Sequence, residues 1–152
     1  MILRTARFAE LDAATLYALL RLRVDVFVVE QKCPYPDVDG RDLEPGTVHL
    51  WVDHDGTAAS YLRILADPDA ARIGRVCTDR AHRGKGLAAR TVAAALDLVG
   101  DRPCVLDAQS YLVGFYAGFG FEVSGAEFVE DGIPHVPMRR TAPRTSGAGA
   151  TS

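Results

Sequence analysis

At 152 residues, 48% of them hydrophobic, the chain can bury one sizeable core and has no length for a second. Its 17 Lys and Arg against 20 Asp and Glu leave a formal net charge of -3, without the clustered basic residues that a nucleic-acid surface needs for counterion release. Cys33, Cys77 and Cys104 are widely spaced and form no C-x-x-C pair, so neither zinc nor a disulfide framework is expected; without a signal peptide or an apolar run of membrane-spanning length, a cytoplasmic protein is expected.

Residues 2–8 alternate apolar with polar side chains and predict an edge strand. Glu10-Leu11-Asp12 supplies capping chemistry for a long helix with Leu16, Leu19, Leu20 and Phe27 on one stripe. The β-branched run over 24–29 predicts a break or a second short helix, and Pro34 ends it. Residues 33–46, rich in Pro, Asp and Gly, read as an irregular loop. Strands over 49–52 and 58–65 flank the turn Asp53-His54-Asp55-Gly56, and a third covers 72–77. A helix follows from Leu87, with Ala88, Val92, Ala95, Leu96 and Val99 at helical spacing. Residues 103–106 make a short strand reached by a right-handed crossover, 111–119 a short helix closed by Gly120, and 122–129 with 135–139 a final hairpin around Asp131-Gly132. The expected whole is a single α/β (α+β) domain over 1–140 with a mixed, mostly antiparallel sheet flanked by helices. Residues 141–152, mostly Ser, Thr, Gly, Ala and Pro, are expected to be a disordered tail.

Between the third of these strands and its helix stands Arg83-Gly84-Lys85-Gly86-Leu87-Ala88. Two glycines one residue apart let the backbone turn tightly and point N–H groups outward, and the orphan amides and positive dipole end of the following helix favour an anion. A P-loop would need a glycine five residues before Gly84 and Ser or Thr after Lys85, where the chain has Asp79 and Gly86. Gly84, Gly86 and Ala89 fit G-x-G-x-x-A, with Asp107 about twenty residues on, but the strand ends too early and too few βα units follow for a dinucleotide fold. The acetyl-CoA signature [RQ]-x-x-G-x-[GA] is matched by Arg83, Gly86 and Ala88.

Phe115-Tyr116-Ala117-Gly118-Phe119-Gly120-Phe121 resembles the F-Y-x-x-x-G-F segment of the GNAT N-acetyltransferases, in order and at the expected distance downstream. Residues 26–31 (Val-Phe-Val-Val-Glu-Gln), Cys33-Pro34-Tyr35, Asp37, Asp39-Gly40, 131–135 (Asp-Gly-Ile-Pro-His) and Met138-Arg139-Arg140 resemble the ElaA-type members, so that the likeness runs nearly the whole chain to about Arg140. It implies the GNAT acyl-CoA N-acyltransferase fold and direct transfer of an acetyl group from acetyl-CoA to a primary amine through a ternary complex, with no metal. It also implies a pantetheine arm held along Val76, Cys77 and Thr78, and a pyrophosphate on the amides of Arg83, Gly84, Lys85, Gly86, Leu87, Ala88 and Ala89. Tyr116 matches the tyrosine that protonates the departing thiolate and touches the cofactor, although periodicity alone would make it a buried aromatic. Where the family has Asn and Ala ahead of this tyrosine the chain has Gln109, which can offer an amide to the cofactor, and the bulkier Leu112.

The strand over 72–77 carries no carboxylate where several relatives keep their base, so His135, of a residue type that titrates near neutrality, is the first candidate and Glu30 the second. No activating histidine stands in the motif around Cys77, which favours direct transfer over a covalent intermediate. Glu30, Asp37, Asp39, Asp42 and Glu44, partly offset by Lys32 and Arg41, predict an acidic rim that draws a cationic acceptor, with Glu30, Asp37 and Asp39 as its contacts. The expected partner is a small-molecule or peptidyl amine, with no nucleic acid or membrane, and a homodimer is a compatible assembly. The competing expectation is a non-catalytic acyl-CoA-binding or partner module of the same fold.

Overall fold

Strand β3 (Thr57–Ala66) is buried over eight consecutive positions, which only a central strand covered on both faces can be. Its neighbours in the computed structural model, which describes residues 1–141, are β2 (Val48–His54) and β4 (Ala71–Thr78), both antiparallel to it. Beyond β2 lies the edge strand β1 (Ile2–Ala6); beyond β4 lie β5 (Cys104–Gln109), β8 (Ile133–Arg140) and the two-residue β6 (Glu122–Val123), and β7 (Phe128–Glu130) also pairs with β8. Every pairing is antiparallel except β4 with β5, so the sheet is mixed and mostly antiparallel. Helix α1 (Ala13–Val24), capped by the Asp12 carboxylate on Thr15 N, lays Leu19 and Leu22 on one face against Trp51, Tyr61 and Cys77. On the other face, α2 (Leu87–Val99) and α3 (Val113–Ala117) place Val92, Ala95, Leu96 and Tyr116 against Leu50, Leu62, Ile73 and Leu106. No helix among the described residues is long and apolar enough to cross a membrane. The tail expected over 141–152 lies, from residue 142 on, outside the described residues.

Two sequence expectations are corrected, and a third, the break or short helix after α1, is met in a particular form. Strand β5 runs to Gln109 rather than 106, because Asp107, Ala108 and Gln109 pair with Pro137, Val136 and His135. The single strand expected over 122–129 is split into β6 and β7, since Pro137 has no N–H to carry a ladder through, and only Ser124 N reaches its carbonyl. The β-branched run after α1 becomes a π-helical segment, Asp25–Glu30, with Gln31 N donating to Val26 O and Cys33 N to Val28 O.

What fixes the loop over 33–46 is charge. Arg23, 1% exposed, donates to Asp37 Oδ2 at 3.0 Å and to Asp42 Oδ1 at 2.8 Å. Arg63 bonds the same Asp42 oxygen at 3.1 Å and Asp39 Oδ2 at 2.6 Å, and Arg75 pairs with Asp39 at 3.3 Å and Asp37 at 3.0 Å. Three arginines and three aspartates therefore alternate in a closed ring that ties α1, β3 and β4 to the loop. His49 is enclosed beside it, its Nε2–H donating to Asp42 O and its Nδ1 accepting from the Tyr61 hydroxyl; burial pushes its pKa down and keeps it neutral.

The ring makes folding acid-sensitive. Hydrogen bonds from Arg63 hold the Asp39 carboxyl well below the carboxylate range; burial works to raise that of Asp42, but the Arg23 and Arg63 guanidinium groups outweigh it and lower it. Carboxyls with folded pKa values below their unfolded ones, about 4, stabilise fully above that pH and lose the contribution as pH falls through and below it. The urea midpoint should stay level from about pH 7 to 5 and drop below about pH 4. Asp42→Asn, which leaves two buried guanidinium groups short of a counter-charge, should cost about 3–5 kcal/mol at neutral pH and shrink that drop.

Candidate active site

The parallel pairing of β4 with β5 lasts for only two residue pairs, Ala71 with Cys104 and Arg72 with Val105, after which the strands part. From Ile73 onward the β5-facing edge of β4 has no strand partner, and a cleft of about 610 Å³ opens there. A bulge adds to it. Tyr61 to Arg63 on β3 faces Cys77 to Gly74 on β4, so that three residue steps oppose two and Arg75 sits in the left-handed region at φ 56°. That conformation costs a non-glycine residue about 1–2 kcal/mol. It is held by the ring of ion pairs and by the Arg75 guanidinium lying 5.3 Å from the Tyr35 ring centre. Gly74 next to it has an ordinary φ, and a Cβ built there would meet nothing within 4 Å, so its lack of a side chain leaves floor space in the cleft.

At one end of the cleft β4 runs through a 3-10 turn, Arg80–His82, into the glycine loop. Gly84 and Gly86 have φ of 79° and 74°, and Gly86, with no side chain to cap α2, leaves the first amides of that helix free toward the cleft. A Cβ at either glycine would project into open space, so the loop is a concave cradle of N–H donors that fits a pyrophosphate. Val76, Cys77, Thr78, Arg83, Gly84, Gly86, Leu87, Ala88, Ala89, Gln109 and Tyr116 all line this one cleft. Lys85 does not; its Nζ lies 3.1 Å from His82 Nδ1.

Tyr116 stands on α3, where Phe119 N and Phe121 N donate to its carbonyl and Gly120, at φ 91°, closes the turn. The sequence segment over 115–121 is thus a device for holding this ring, edge-on to Phe115 and Phe121, at 5% exposure. Burial, with smaller contributions from Tyr111 and Cys77, pushes its pKa up to about 12, so the phenol keeps its proton. Its hydroxyl makes no hydrogen bond among the described residues. Leu112 and Phe115 line the cleft beside it.

His135 lines the other end, on β8 opposite Gln109 and stacked on Phe128 at 5.7 Å. Its Nδ1 is 2.7 Å from Ile133 O; a carbonyl can only accept, so Nδ1 carries a proton and, in the neutral ring, Nε2 is the nitrogen with the lone pair. The second base candidate is engaged elsewhere. Glu30 takes both Nη groups of Arg83 at 2.5 and 2.6 Å, and those hydrogen bonds lower its pKa despite partial burial. Cys77 is buried and its thiol is pushed far above the thiolate range by desolvation, which removes it as a nucleophile.

The acidic rim expected from residues 30–44 is corrected. Asp37 is 4% exposed and bound by Arg23 and Arg75; Asp39 and Asp42 belong to the same ring; Glu44 pairs with Arg41 at 3.0 Å and Glu30 with Arg83. Apart from Glu44, paired within the loop, their charge is neutralised by arginines from other elements. The cleft-lining carboxylates without an ion pair among the described residues are Glu130, the last residue of β7, and Asp131, in the turn that leads to β8. Asp107, on β5, shares Arg72 at 3.3 Å. No cluster of three or more His, Cys, Asp or Glu among the described residues is arranged to ligate a metal.

A mixed sheet splayed at a parallel pair, with a glycine loop opening a helix at the splay, defines the acyl-CoA N-acyltransferase fold, and comparison with known proteins agrees. A family model for the acetyltransferase (GNAT) domain matches residues 25–142, and the chain belongs to that family. It is of the ElaA type: the crystal structure of Escherichia coli ElaA superposes with a TM-score of 0.87 at 38% identity, over 91% of this chain and 98% of that one. An acyl-CoA N-acyltransferase from Pseudomonas aeruginosa gives 0.86 at 43% identity, over 93% and 100%. A UPF0039 protein of Mycobacterium tuberculosis is 52% identical over 143 residues, 91% of this chain and 92% of its own.

Gly86→Asp would place a side chain and a negative charge in the cradle at a positive φ. It should abolish acetyl-CoA binding in a calorimetric titration while circular dichroism stays that of the parent; undiminished binding would remove the loop from the site.

Proposed function

We propose that the protein transfers the acetyl group of acetyl-CoA to a primary amine by direct attack in a ternary complex. The observation that carries this reading is the convergence on one cleft of the amide cradle at α2, the protonated Tyr116 and the bare Nε2 of His135. When bound, acetyl-CoA supplies an acyl group activated as a thioester. The amides of Arg83, Gly84, Gly86, Leu87, Ala88 and Ala89 bind its pyrophosphate, and the free edge of β4 at Val76 to Thr78 orients the arm. Lys85 contributes its backbone alone, and Gln109 holds the β5 side.

An alkylamine titrates near pKa 10 and arrives protonated. His135 Nε2 accepts that proton as the amine leaves water for the cleft, where desolvation disfavours the ammonium. Tyr116 donates to the thiolate as its charge develops and is re-protonated by the second proton that the nitrogen sheds as the amide forms; the raised pKa that makes the phenol a reluctant acid also keeps the proton in place at every working pH. Glu130 and Asp131, rather than Asp37 and Asp39, hold a cationic acceptor such as a polyamine, a lysine side chain or a basic aminoglycoside-like compound.

Thiol release from acetyl-CoA over a panel of amines tests the reading; tight acetyl-CoA binding with no release for any amine would favour the non-catalytic module. Tyr116→Phe should lower kcat by about 10²-fold and leave the calorimetric Kd for acetyl-CoA unchanged. Because its pKa is raised, parent activity should not fall through pH 10, where an ordinary tyrosine ionises. His135→Gln should flatten the acidic limb of the pH profile, on which the base must lose its proton. Glu130→Gln with Asp131→Asn should reduce acceptor kcat/KM and its decline with salt; indifference to both substitutions would leave the acceptor without these contacts.

A further inference from the structure

Glu30 is unneeded as a base while His135 Nε2 is bare, yet it is built into the cleft wall at the last position of the π-helical segment, whose backbone is locked by Gln31 N to Val26 O and Cys33 N to Val28 O. A carboxylate so placed stands beside a loop made to hold an anion, and alone it would repel one. Both its oxygens are instead taken by Arg83, the residue immediately before Gly84, with Arg80 Nη2 at 3.6 Å as a second cation. Arg83 is fastened at its base, where Nε donates to Thr78 O at 3.1 Å, so its two Nη groups can change partner without moving the guanidinium from the loop.

We infer that Glu30 is a removable counterion, a positioning residue that holds Arg83 beside the glycine loop until a pyrophosphate takes the guanidinium over. This rests on the reading of residues 83–89 as the pyrophosphate site. The pair is open to water, with Arg83 41% and Glu30 28% exposed by side chain, and an ion pair of that kind shifts an equilibrium by no more than about fivefold. A phosphate offers the same bidentate geometry with more charge. Exchange is therefore favourable, and the acyl-CoA affinity is set below what the loop and Arg83 could reach, by competition with a carboxylate from the opposite wall. Arg83 gains a role that the backbone contacts of the glycine motif do not give it, and Glu30 acquires one outside proton transfer.

A double-mutant cycle read by calorimetry, with acetyl-CoA as the probe, tests the exchange. Glu30→Gln should tighten acetyl-CoA binding by about two- to fivefold, and Arg83→Gln should weaken it by about tenfold. The gain from Glu30→Gln should shrink to less than half, on a logarithmic scale, once Arg83 is replaced; Arg83→Lys, which keeps the charge and loses the bidentate fork, serves if the glutamine variant fails to fold. An equal gain in both backgrounds would make Glu30 a repulsive charge only, and weaker binding by Glu30→Gln would make the pair a permanent clamp; either overturns the inference. Absence of acetyl-CoA binding by the parent would overturn the pyrophosphate reading beneath it, an outcome distinct from binding that ignores Glu30.

Discussion

The site depends first on the alternating ring of Arg23, Asp37, Arg75, Asp39, Arg63 and Asp42. Taking six charges out of water costs about as much as their mutual attraction returns, so such a ring adds little net stability beside an apolar core of the same volume. Its effect is on geometry. Each aspartate of the loop has two guanidinium partners on different elements, and only one placement of the loop satisfies all of them. That placement lays Tyr35 under Arg75 and sets Cys33, whose Sγ donates to Asp131 O, against the β7–β8 turn. This wall of the cleft is therefore joined, through charge, to the bulge on the strand that forms the floor.

The bulge in turn explains how a sheet can hold a ligand at its centre. A continuous ladder between β4 and β5 would seal the cleft with backbone hydrogen bonds. Two pairs suffice to start the parallel contact, and the extra residue at Arg75 turns the rest of β4 away. A left-handed arginine is an expensive way to do this unless its side chain is also needed, and here the same residue closes the ring. Strain at the backbone and charge in the side chain support one another, which is the usual place to find unfavourable φ values in a working site. Tyr116 and His135 then approach the opening from α3 and β8, which both pack with β5 on the side of the splay away from β4.

Much of this was legible in the sequence because it is encoded locally. Paired glycines before an amphipathic run identified the cradle, and the register of Phe115, Tyr116, Gly120 and Phe121 identified the tyrosine and its turn. Short strand-like runs between turn signals outlined the sheet, apart from the last three residues of β5 and the division of β6 from β7, which depends on where Pro137 falls opposite them. What the sequence hid is non-local. The ring arginines lie between 14 and 38 residues from Asp37, Asp39 and Asp42, and Arg83 lies 53 from Glu30, so these carboxylates read as a free rim when they are already paired. Arg75 carried no sign of a positive φ, which usually selects glycine, and the glycine next to it has an ordinary φ. The tautomer of His135 follows from a carbonyl two residues away, but only once Ile133 and His135 are seen in one bent strand end.

The proposed transfer requires that acyl-CoA be received on two backbone surfaces, the amides at the start of α2 and the free edge of β4. Amide hydrogen exchange, followed with and without acetyl-CoA, reads those surfaces directly. Protection should rise at residues 84–89 and 76–78 together, with little change in β1 and β2 on the far side of the sheet. Acetyl-CoA that binds while those amides exchange at their free rates, and protects another part of the chain instead, would contradict it.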